Sequence, residues 1–518
     1  MQIISEMLEN TVRAYPERTA VIYKDEEFTY NELLEHIYRL ANGFSRLGIV
    51  KGDWVMEFIP NCPQLVFTHF ALIALGAVVV PLNVMYKHHE IEYVGKTTKA
   101  KAIVADSNLW APLAEEVMQS LPALQTAIAI GEHIPGTANF FDLMEETEQQ
   151  IPSLTSSLDD IVSVIFTSGT TGRPKGATQT HRSILSAAQG CLVHNKLSWQ
   201  DVFLCGLPLF NNFGLNVAMM GCFTIGGTLV IIERFDALEV LAAVQSHKAT
   251  YFAGTPTMFV YLLNAFDPAK HDISSLRVTN SGGAHCSLEL IKKVEQTFGV
   301  IHLDGYGQTE GCGFTTLNPI VGVRKPNSVG VPLSNTWLKI VDDHDSELPP
   351  GEVGEIIEKG DVFSIHGYWN RPETNAAVYK NGWFHSGDLG YLDDDGYLYV
   401  VDRKQDLIIT GGYNIYPTEV EDMLCAHPKV ALAAVIGIPD KTKGELAKAY
   451  IMLKDGQSAT EQEIIDYARN KIAKYKAPRM VEFVDSMPLG PTGKLLKREL
   501  KKKVLGDSKT GKLDRGEK

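Results

Sequence analysis

Apolar positions in the first third of the chain follow two different spacings, and each spacing predicts a different element. Tyr30 to Leu47 reads as a helix, with Thr29 placed as its N-cap and Glu32 near the capping-box position. VKGDWVMEFIP reads as a turn and a strand, KAKAIVAD as a short apolar run closing on Asp106, and TAIAIG as another such run. The most apolar stretch, Leu65 to Val80, is interrupted by Thr68, His69 and Gly76 and closed by Pro81. A membrane span needs about 20 apolar residues. The stretch therefore predicts a buried helix, LVFTHFALIALG, running into a buried strand, AVVVPLN. The middle of the chain repeats the alternation: GGTLVIIERF as a strand, ALEVLAAVQSHK as a helix, and ATYFAGTPTMF as a strand entering a Pro turn. Strands separated by helix-length segments imply parallel sheets with helices on both faces, an α/β fold.

The pattern changes after about Leu333, where Asp, Gly and aromatic residues mark short strands and tight turns. Asp395-Gly396, between Tyr391 and Tyr397, is a hairpin signal. Near Asp402 the character shifts again, to a compact α+β unit: helix PTEVEDMLCAHP, strands VALAAVIGIP and LAKAYIMLK, and helix TEQEIIDYARNKIAKY. This predicts a large N-terminal domain over residues 1–401, made of helix-flanked sheets, and a small α+β C-terminal domain over 402–518, with the boundary at Asp402. The tail after Leu500, rich in Lys and Gly, predicts a frayed solvated end. No internal repeat is visible.

Composition narrows the function. The 518 residues are 45% hydrophobic and 21% charged, which excludes wholesale disorder. Lys plus Arg is 48 against 62 for Asp plus Glu, a formal net charge of −14. That argues against binding nucleic acid over a broad surface but leaves room for a small basic pocket for phosphate. The seven cysteines are spread along the chain and none forms a C-x-x-C pair, which argues against a disulfide framework and a zinc site and points to a reducing compartment. The N-terminus shows no apolar signal core. The expectation is a cytoplasmic protein with no transmembrane segment.

Chemistry concentrates first in residues 164–176, VIFTSGTTGRPKG. An apolar strand feeds a run of Thr, Ser, Gly, Arg and Lys. Gly169, Gly172 and Gly176 let the backbone approach a ligand closely. Thr167, Ser168, Thr170 and Thr171 supply hydroxyl donors, and Lys175 a cation. The set suits a polyphosphate, and its density exceeds what a surface turn requires. No G-x-x-x-x-G-K-[ST] is present, which disfavours a P-loop kinase or ATPase.

Beyond TSGTTGRPKG the chain carries, in order, PLFNNFG, GGA, DGYGQTE, HSGDLG, DRKQDLIITGGYNIYPTEVE, GIPDKTKGE and PTGKLLK. With this ordered set, spanning the VVVPLN region to Lys494, the sequence resembles the adenylate-forming superfamily, specifically the AMP-forming acyl-CoA synthetases. The resemblance implies attack of a carboxylate on the α-phosphorus of ATP, with loss of pyrophosphate, and then displacement of AMP by the thiol of coenzyme A. It implies ATP, Mg²⁺ and coenzyme A as partners of the site, and leaves a homodimer open.

The resemblance also assigns roles. Thr167, Ser168, Gly169, Thr170, Thr171, Gly172 and Lys175 would hold the phosphates. Gly282, Gly283 and Ala284 would lie against the purine and acyl group, where absent side chains make room. Asp304 and Gly305 would join the nucleotide site, with Tyr306 near the adenine, Thr309 on the α-phosphate and Glu310 on Mg²⁺. Asp388 would accept the ribose hydroxyls, and Arg403 would contact the same ribose or the phosphate. Lys494 would bridge carboxylate and α-phosphate, offsetting charge that builds in the transition state; charge alone singles out none of the lysines here. Gly411 and Gly412 would line the pantetheine channel, and Asp402 would be the hinge of a mobile domain that serves two half-reactions by rotating.

Departures bear on the acid. Asn211, in PLFNNFG, replaces a His common among relatives at a position associated with gating the acyl channel. His285 and Cys286 lie near the expected acyl pocket, where relatives often carry Pro or small apolar residues; for His285 a partly exposed loop position is the default. Ile409 and Gly411 stand where some aryl-acid relatives carry Lys, which leans towards aliphatic acids. The candidate lining, Phe213, Gly214, Val217, Thr255, Gly307, Cys312 and Gly313, accommodates a fatty chain or a flat aromatic acid. A medium- or long-chain fatty acid is expected; the alternatives are an aryl-acid CoA ligase and an enzyme loading a carrier protein. Gly506-Asp507-Ser508 has only ten residues after it, so a carrier would be a separate protein. Lys175, Thr309, Glu310, Asp388, Arg403 and Lys494 together argue against a non-catalytic nucleotide-binding protein.

Overall fold

The computed structural model describes residues 2–145, 156–167, 174–440, 442–488, 490 and 495–509. By its internal contacts the chain forms two compact units, Met1–Trp337 with Glu358–Phe384, and Leu338–Ile357 with His385–Lys518.

The first unit is built on two largely parallel sheets. One runs, in spatial order, Ala138–Asn139, Thr126–Ile130, Ala102–Asp106, Trp54–Phe58, Val78–Pro81, Ile161–Thr167 and Lys175–Thr180, with only the last pair antiparallel. The other runs Val331–Pro332, Thr316–Leu317, Ile301–Tyr306, Val278–Ser281, Tyr251–Gly254, Val202–Cys205, Thr228–Ile231, Thr19–Tyr23 and Glu26–Thr29. It is parallel from Ile301–Tyr306 to Thr19–Tyr23 and antiparallel at both edges.

Local sequence explains the helices. Tyr30–Arg46 starts where expected: the Thr29 hydroxyl accepts the Glu32 N–H, and the Glu32 carboxylate accepts the Thr29 N–H at 2.7 Å. The apolar run becomes the helix Pro63–Ala74, buried almost all round, followed by the strand Val78–Pro81. The interrupting His69 is buried within it, its Nδ1 3.1 Å from the buried Glu57 carboxylate. Pro256 departs from the expected turn. It opens the helix Pro256–Ala265 at the first position, where its missing N–H has no intrahelical partner to lose.

In the second unit the Asp395-Gly396 signal is a hairpin: Leu392 faces Leu398, and Asp388 faces Arg403. Asp402 falls inside this unit, because a cut there would sever the same ladder. Tyr413–Ile415, Ile408–Thr410, Gly444–Leu453, Val430–Asp440 and Met480–Phe483 form a sheet, accompanied by the helices Pro417–Cys425 and Glu461–Lys471. The tail corrects the sequence expectation. Lys497–Lys509 is helical, and Leu500 and Val504, four residues apart, are buried with Ile436, Tyr450 and Met487. The Lys-rich composition hid that apolar pair. Among the described residues no helix is long and apolar enough to cross a membrane.

Candidate functional site

Ligands of open parallel sheets bind beyond the carboxyl ends of the strands, where chain reversals leave a crevice. In the first unit, Val278–Ser281 ends into Gly282-Gly283-Ala284, Tyr251–Gly254 into Thr255, and Ile301–Tyr306 carries Asp304, Gly305 and Tyr306 at its end. Adjacent register sets Ser281 opposite Asp304. The buried Ser281 hydroxyl donates to Asp304 Oδ1 at 2.5 Å, and His302 Nε2 lies 3.0 Å behind the same hydroxyl. Thr279 Oγ1 lies 2.8 Å from His302 Nδ1, completing a buried polar chain under the strand ends. Burial pushes the Asp304 carboxyl up to about 7, against the opposing pull of Ser281. Burial pushes His302 down to about 3, so its ring is neutral at physiological pH. Neither Ser281 nor His302 was singled out in the sequence, where both look like ordinary strand residues.

Thr309 and Glu310 occupy the short turn Thr309–Gly311 just past the strand. The Tyr368 hydroxyl donates to the Glu310 carboxylate, and Lys175 Nζ lies 5.2 Å from the centre of the Tyr368 ring. Burial, then the Glu310 charge, raises the Tyr368 hydroxyl well above its ordinary range, so it remains a donor. Backbone bonds hold the arrangement: Thr178 N–H donates to Gly367 O at 3.1 Å, and Trp369 N–H to Gly176 O at 2.8 Å. Lys175 and Thr167 face each other across an antiparallel pair, so both ends of the glycine–hydroxyl run are fixed. Ser168, Gly169, Thr170, Thr171 and Gly172 themselves lie outside the described residues. Tyr368 is a residue that sequence reasoning missed; its only local signal is the glycine–aromatic segment HGYWN.

Of the acyl-pocket candidates, Phe213 and Gly307 lie against a further unforeseen residue, Phe314. Its ring packs edge to face with Phe213 at 5.1 Å. A Cβ at Gly282 or Gly305 would come within 2.6 or 2.7 Å of the same ring. The room expected at Gly282 for a ligand is thus filled by Phe314, whereas Gly283 and Ala284 are exposed. Gly307 allows a backbone crossing, since a Cβ there would sit 1.9 Å from Gly313 O, and Gly214 likewise faces Pro208 O at 2.5 Å. Phe213 opens the π-helix Phe213–Met220, a rare geometry frequent at functional sites. Asn211 Oδ1 accepts the Phe213 N–H at 3.2 Å, which stabilises the entry to that helix. Cys312 is fully buried with its thiol beside Ser183, and burial pushes that thiol up to about 12. His285 is exposed, as expected of a loop position.

In the second unit, Arg403 Nε lies 3.4 Å from Asp388 Oδ1. Asp402 is buried and accepts the Arg403 and Thr418 N–H groups, each at 2.8 Å. Gly411 and Gly412 form the turn between Ile408–Thr410 and Tyr413–Ile415, with φ of +56° and +84°, angles that exclude most side chains. Beside them lies a cavity of about 220 Å³ lined by Thr410, Gly411, Tyr413, Lys443, Tyr475 and Arg479. Lys494 lies outside the described residues.

Known proteins share this design. A family model described as AMP-binding enzyme matches residues 8–369, and one described as AMP-binding enzyme C-terminal domain matches residues 419–494. The chain is 33% identical to a long-chain-fatty-acid–CoA ligase of Bacillus subtilis, over 96% of this chain and 94% of that protein. It is 36% identical to a feruloyl-CoA synthase of an Amycolatopsis species, over 95% and 97%. The crystal structure of the anthranilate CoA ligase AuaEII with anthranoyl-AMP superposes with a TM-score of 0.92 at 29% identity, covering 98% of each chain.

Proposed function

The chain belongs to the AMP-binding enzyme family, as an AMP-forming acyl-CoA synthetase, and on that premise we propose that its acid is a medium- or long-chain fatty acid. In the first half-reaction a carboxylate oxygen bonds to the α-phosphorus of ATP as the bond to pyrophosphate breaks. In the second, the thiol sulfur of coenzyme A bonds to the acyl carbon, AMP leaves, and the thiol proton is lost. Both reacting groups of the first step are anionic, so the site must supply cations and fixed donors.

The observation that supports the adenylation step is the joint placement of Glu310, Tyr368 and Lys175 just past the strand end that bears Tyr306. Among the described residues Glu310 joins no cluster of three metal-ligating side chains. A single carboxylate suits Mg²⁺ that takes its remaining ligands from phosphate oxygens and water. Lys175 and the run Thr167–Gly172 are assigned to the phosphates, Thr309 to the α-phosphate, and Tyr306, Asp304, Gly283 and Ala284 to the adenine side. Asp388 is assigned to the ribose, Arg403 to the same ribose or the phosphate, Lys494 to the developing charge of adenylation, and Gly411-Gly412 to the thiol arm. Asp402 is proposed as a boundary of motion rather than of packing, about which the residues that follow turn between half-reactions. The seven free cysteines support a cytoplasmic location.

The fatty-acid reading is supported by apolar Phe213 and Val217, by Ile409 where some aryl-acid relatives carry a lysine, and by the B. subtilis relative. A second reading, an aryl acid, is favoured by the feruloyl-CoA synthase relative and by the edge-to-face pair of aromatic rings, Phe213 and Phe314, among the candidate pocket residues. Pyrophosphate release should be measured across a panel of fatty and aryl acids with ATP and Mg²⁺, with and without coenzyme A. Release with medium- and long-chain fatty acids, and thioester formation when coenzyme A is added, is the expected result. Preferential release with aryl acids would replace it by the second reading. Turnover only with an added carrier protein would make the acceptor a carrier, and no release with any acid would end the catalytic assignment.

A further inference from the structure

Imidazole and carboxylate groups gather in the first unit at a place the proposed reaction does not use. The segment His88-His89-Glu90-Ile91-Glu92 opens the helix His88–Thr98. Glu92 comes four residues after His88 and three after His89, the two spacings that put helix side chains on one face. One ligand-type atom from each of His88, His89 and Glu92 lies within 4.8 Å of the other two. A fourth group comes from the helix Ala114–Ser120, where Glu116 Oε1 lies 3.2 Å from His88 Nδ1. The cysteine spacing bears on thiolate sites and leaves this cluster open, since it contains no cysteine.

Hydrogen bonding fixes which nitrogen of His88 is bare. The Ser120 hydroxyl donates to Val117 O at 3.0 Å, so towards His88 Nε2, 3.2 Å away, it can only accept. The ring proton is therefore on Nε2, and a neutral His88 presents the lone pair of Nδ1. That nitrogen is shielded from solvent, has no hydrogen-bond partner, and faces the Glu116 carboxylate. Two acceptors so close repel unless a positive species lies between them, either a second ring proton or a metal ion. The proton fits poorly, because Nδ1 and Oε1 approach without forming a hydrogen bond. A fixed partner on the other ring nitrogen, here Ser120, is what a metal-binding histidine usually has.

The other groups can close on an ion. The His89 side chain is 89% exposed, and Glu92 is engaged by Lys96 at 2.6 Å in a surface pair, which holds a carboxylate weakly. The start of a helix carries positive partial charge, so a cation here must be held by direct bonds rather than by the local field. That selects ions that bond to imidazole, such as Zn²⁺, Ni²⁺ and Cu²⁺, over Mg²⁺ and Ca²⁺, which take oxygen ligands. We propose that His88, His89, Glu92 and Glu116 form a site for a divalent transition-metal ion of the zinc class, which ties the helix His88–Thr98 to the helix Ala114–Ser120. The site shares no residue with the Mg²⁺ position assigned to Glu310 and does not rest on that assignment.

Zn²⁺ binding to the full-length chain, carrying no histidine tag, should be measured by titration calorimetry in excess Mg²⁺, beside the variants His89→Ala/Glu92→Gln and Ser120→Ala. The wild type should bind a Zn²⁺ ion that the double variant binds at least about tenfold more weakly, since losing even an outer partner of a ligand costs about 10- to 100-fold. Ser120→Ala, which frees the His88 ring without removing a ligand, should weaken the same site about tenfold. Ni²⁺ should compete with Zn²⁺, and Cu²⁺ should do so more strongly, whereas Ca²⁺ in large excess should not. Zn²⁺ should also raise the unfolding midpoint of the wild type and not that of the double variant. Without zinc the two should unfold at the same midpoint; if the double variant unfolds early, His89→Ala alone, at the exposed position, carries the comparison. Equal zinc binding by wild type and variant would place the ion elsewhere. No binding by the wild type would leave a proton between His88 and Glu116. Either result overturns the site.

Discussion

Asp304 and Arg403 illustrate how differently the two units hold their candidate residues. Asp304 lies in a parallel ladder, buried, with a serine donor fixed opposite it by strand register and a neutral histidine behind. Arg403 lies in a hairpin of the second unit with its guanidinium side 44% exposed, beside one carboxylate at 3.4 Å. Gly411 and Gly412 likewise face open space. Backbone pairing and burial set the first group; pairwise charge and loop conformation set the second. Substitutions in the first unit should therefore change folding and chemistry together, whereas those in the second should change chemistry with little effect on folding. The predictions below put that contrast at risk.

The largest effect is expected at Lys494. Lys494→Ala should lower acid-dependent pyrophosphate exchange by about 100- to 1000-fold, the usual cost of deleting one group that stabilises transition-state charge. Thioester formation from supplied acyl-adenylate should survive, and the melting temperature should move by less than about 2 °C. A variant that adenylates normally would remove the lysine from the mechanism.

Asp304 should show the opposite balance. Its carboxyl is raised from the ordinary 3.8 to about 7 by burial, so the folded chain binds a proton that the unfolded chain has released. The stabilising contribution of the protonated form is complete below about pH 4 and is lost as pH rises through 7, on the order of 4 kcal/mol in all. Asn cannot ionise, yet it still accepts from Ser281. Urea unfolding at a series of pH values should show Asp304→Asn gaining on the wild type between pH 4 and 7, with a plateau above. A gap that does not change with pH would mean that Asp304 is solvated in the native protein.

Tyr368→Phe tests whether fold and chemistry are coupled within the first unit. The hydroxyl is a donor to a carboxylate, a bond worth about 1.5–3 kcal/mol. We expect a loss of stability of that order, together with about a tenfold drop in kcat/KM for adenylation and a higher Mg²⁺ requirement. An activity loss at full stability would break the proposed coupling.

How much of this was legible beforehand follows the same division. The helices and strands of the first unit could be read because their apolar spacing is imposed by burial on a sheet, as with Thr29–Glu32 and the run Leu65–Val80. The terminal helix could not, since two apolar residues, Leu500 and Val504, are embedded among lysines. The residues of the ordered motifs were found because each carries its own local chemistry. Tyr368, Ser281, His302 and Phe314 escaped because their importance lies in what faces them across the fold: a carboxylate 58 residues away, a strand neighbour, two glycines from separate segments. Gly282 shows the limit sharply, since a missing side chain reads the same whether a ligand or Phe314 fills the gap.

The smallest effect should come from Arg403→Met, and it is the most discriminating test of the contrast. An ion pair this exposed contributes about 0.2–1 kcal/mol. The backbone of Arg403 is held independently of its side chain: the residue pairs with Asp388 across the ladder, and its N–H is received by Asp402. Deleting the guanidinium should thus leave the unfolding midpoint nearly unchanged. If the group contacts the ribose or phosphate equally before and during reaction, KM for ATP should rise about three- to tenfold with kcat nearly constant. Measuring the unfolding midpoint and the ATP dependence of adenylation on the same preparation settles both quantities. Should Arg403→Met instead destabilise the protein as much as Tyr368→Phe does, the second unit would depend on its charged side chains for folding as the first depends on its buried ones, and the contrast between them would dissolve.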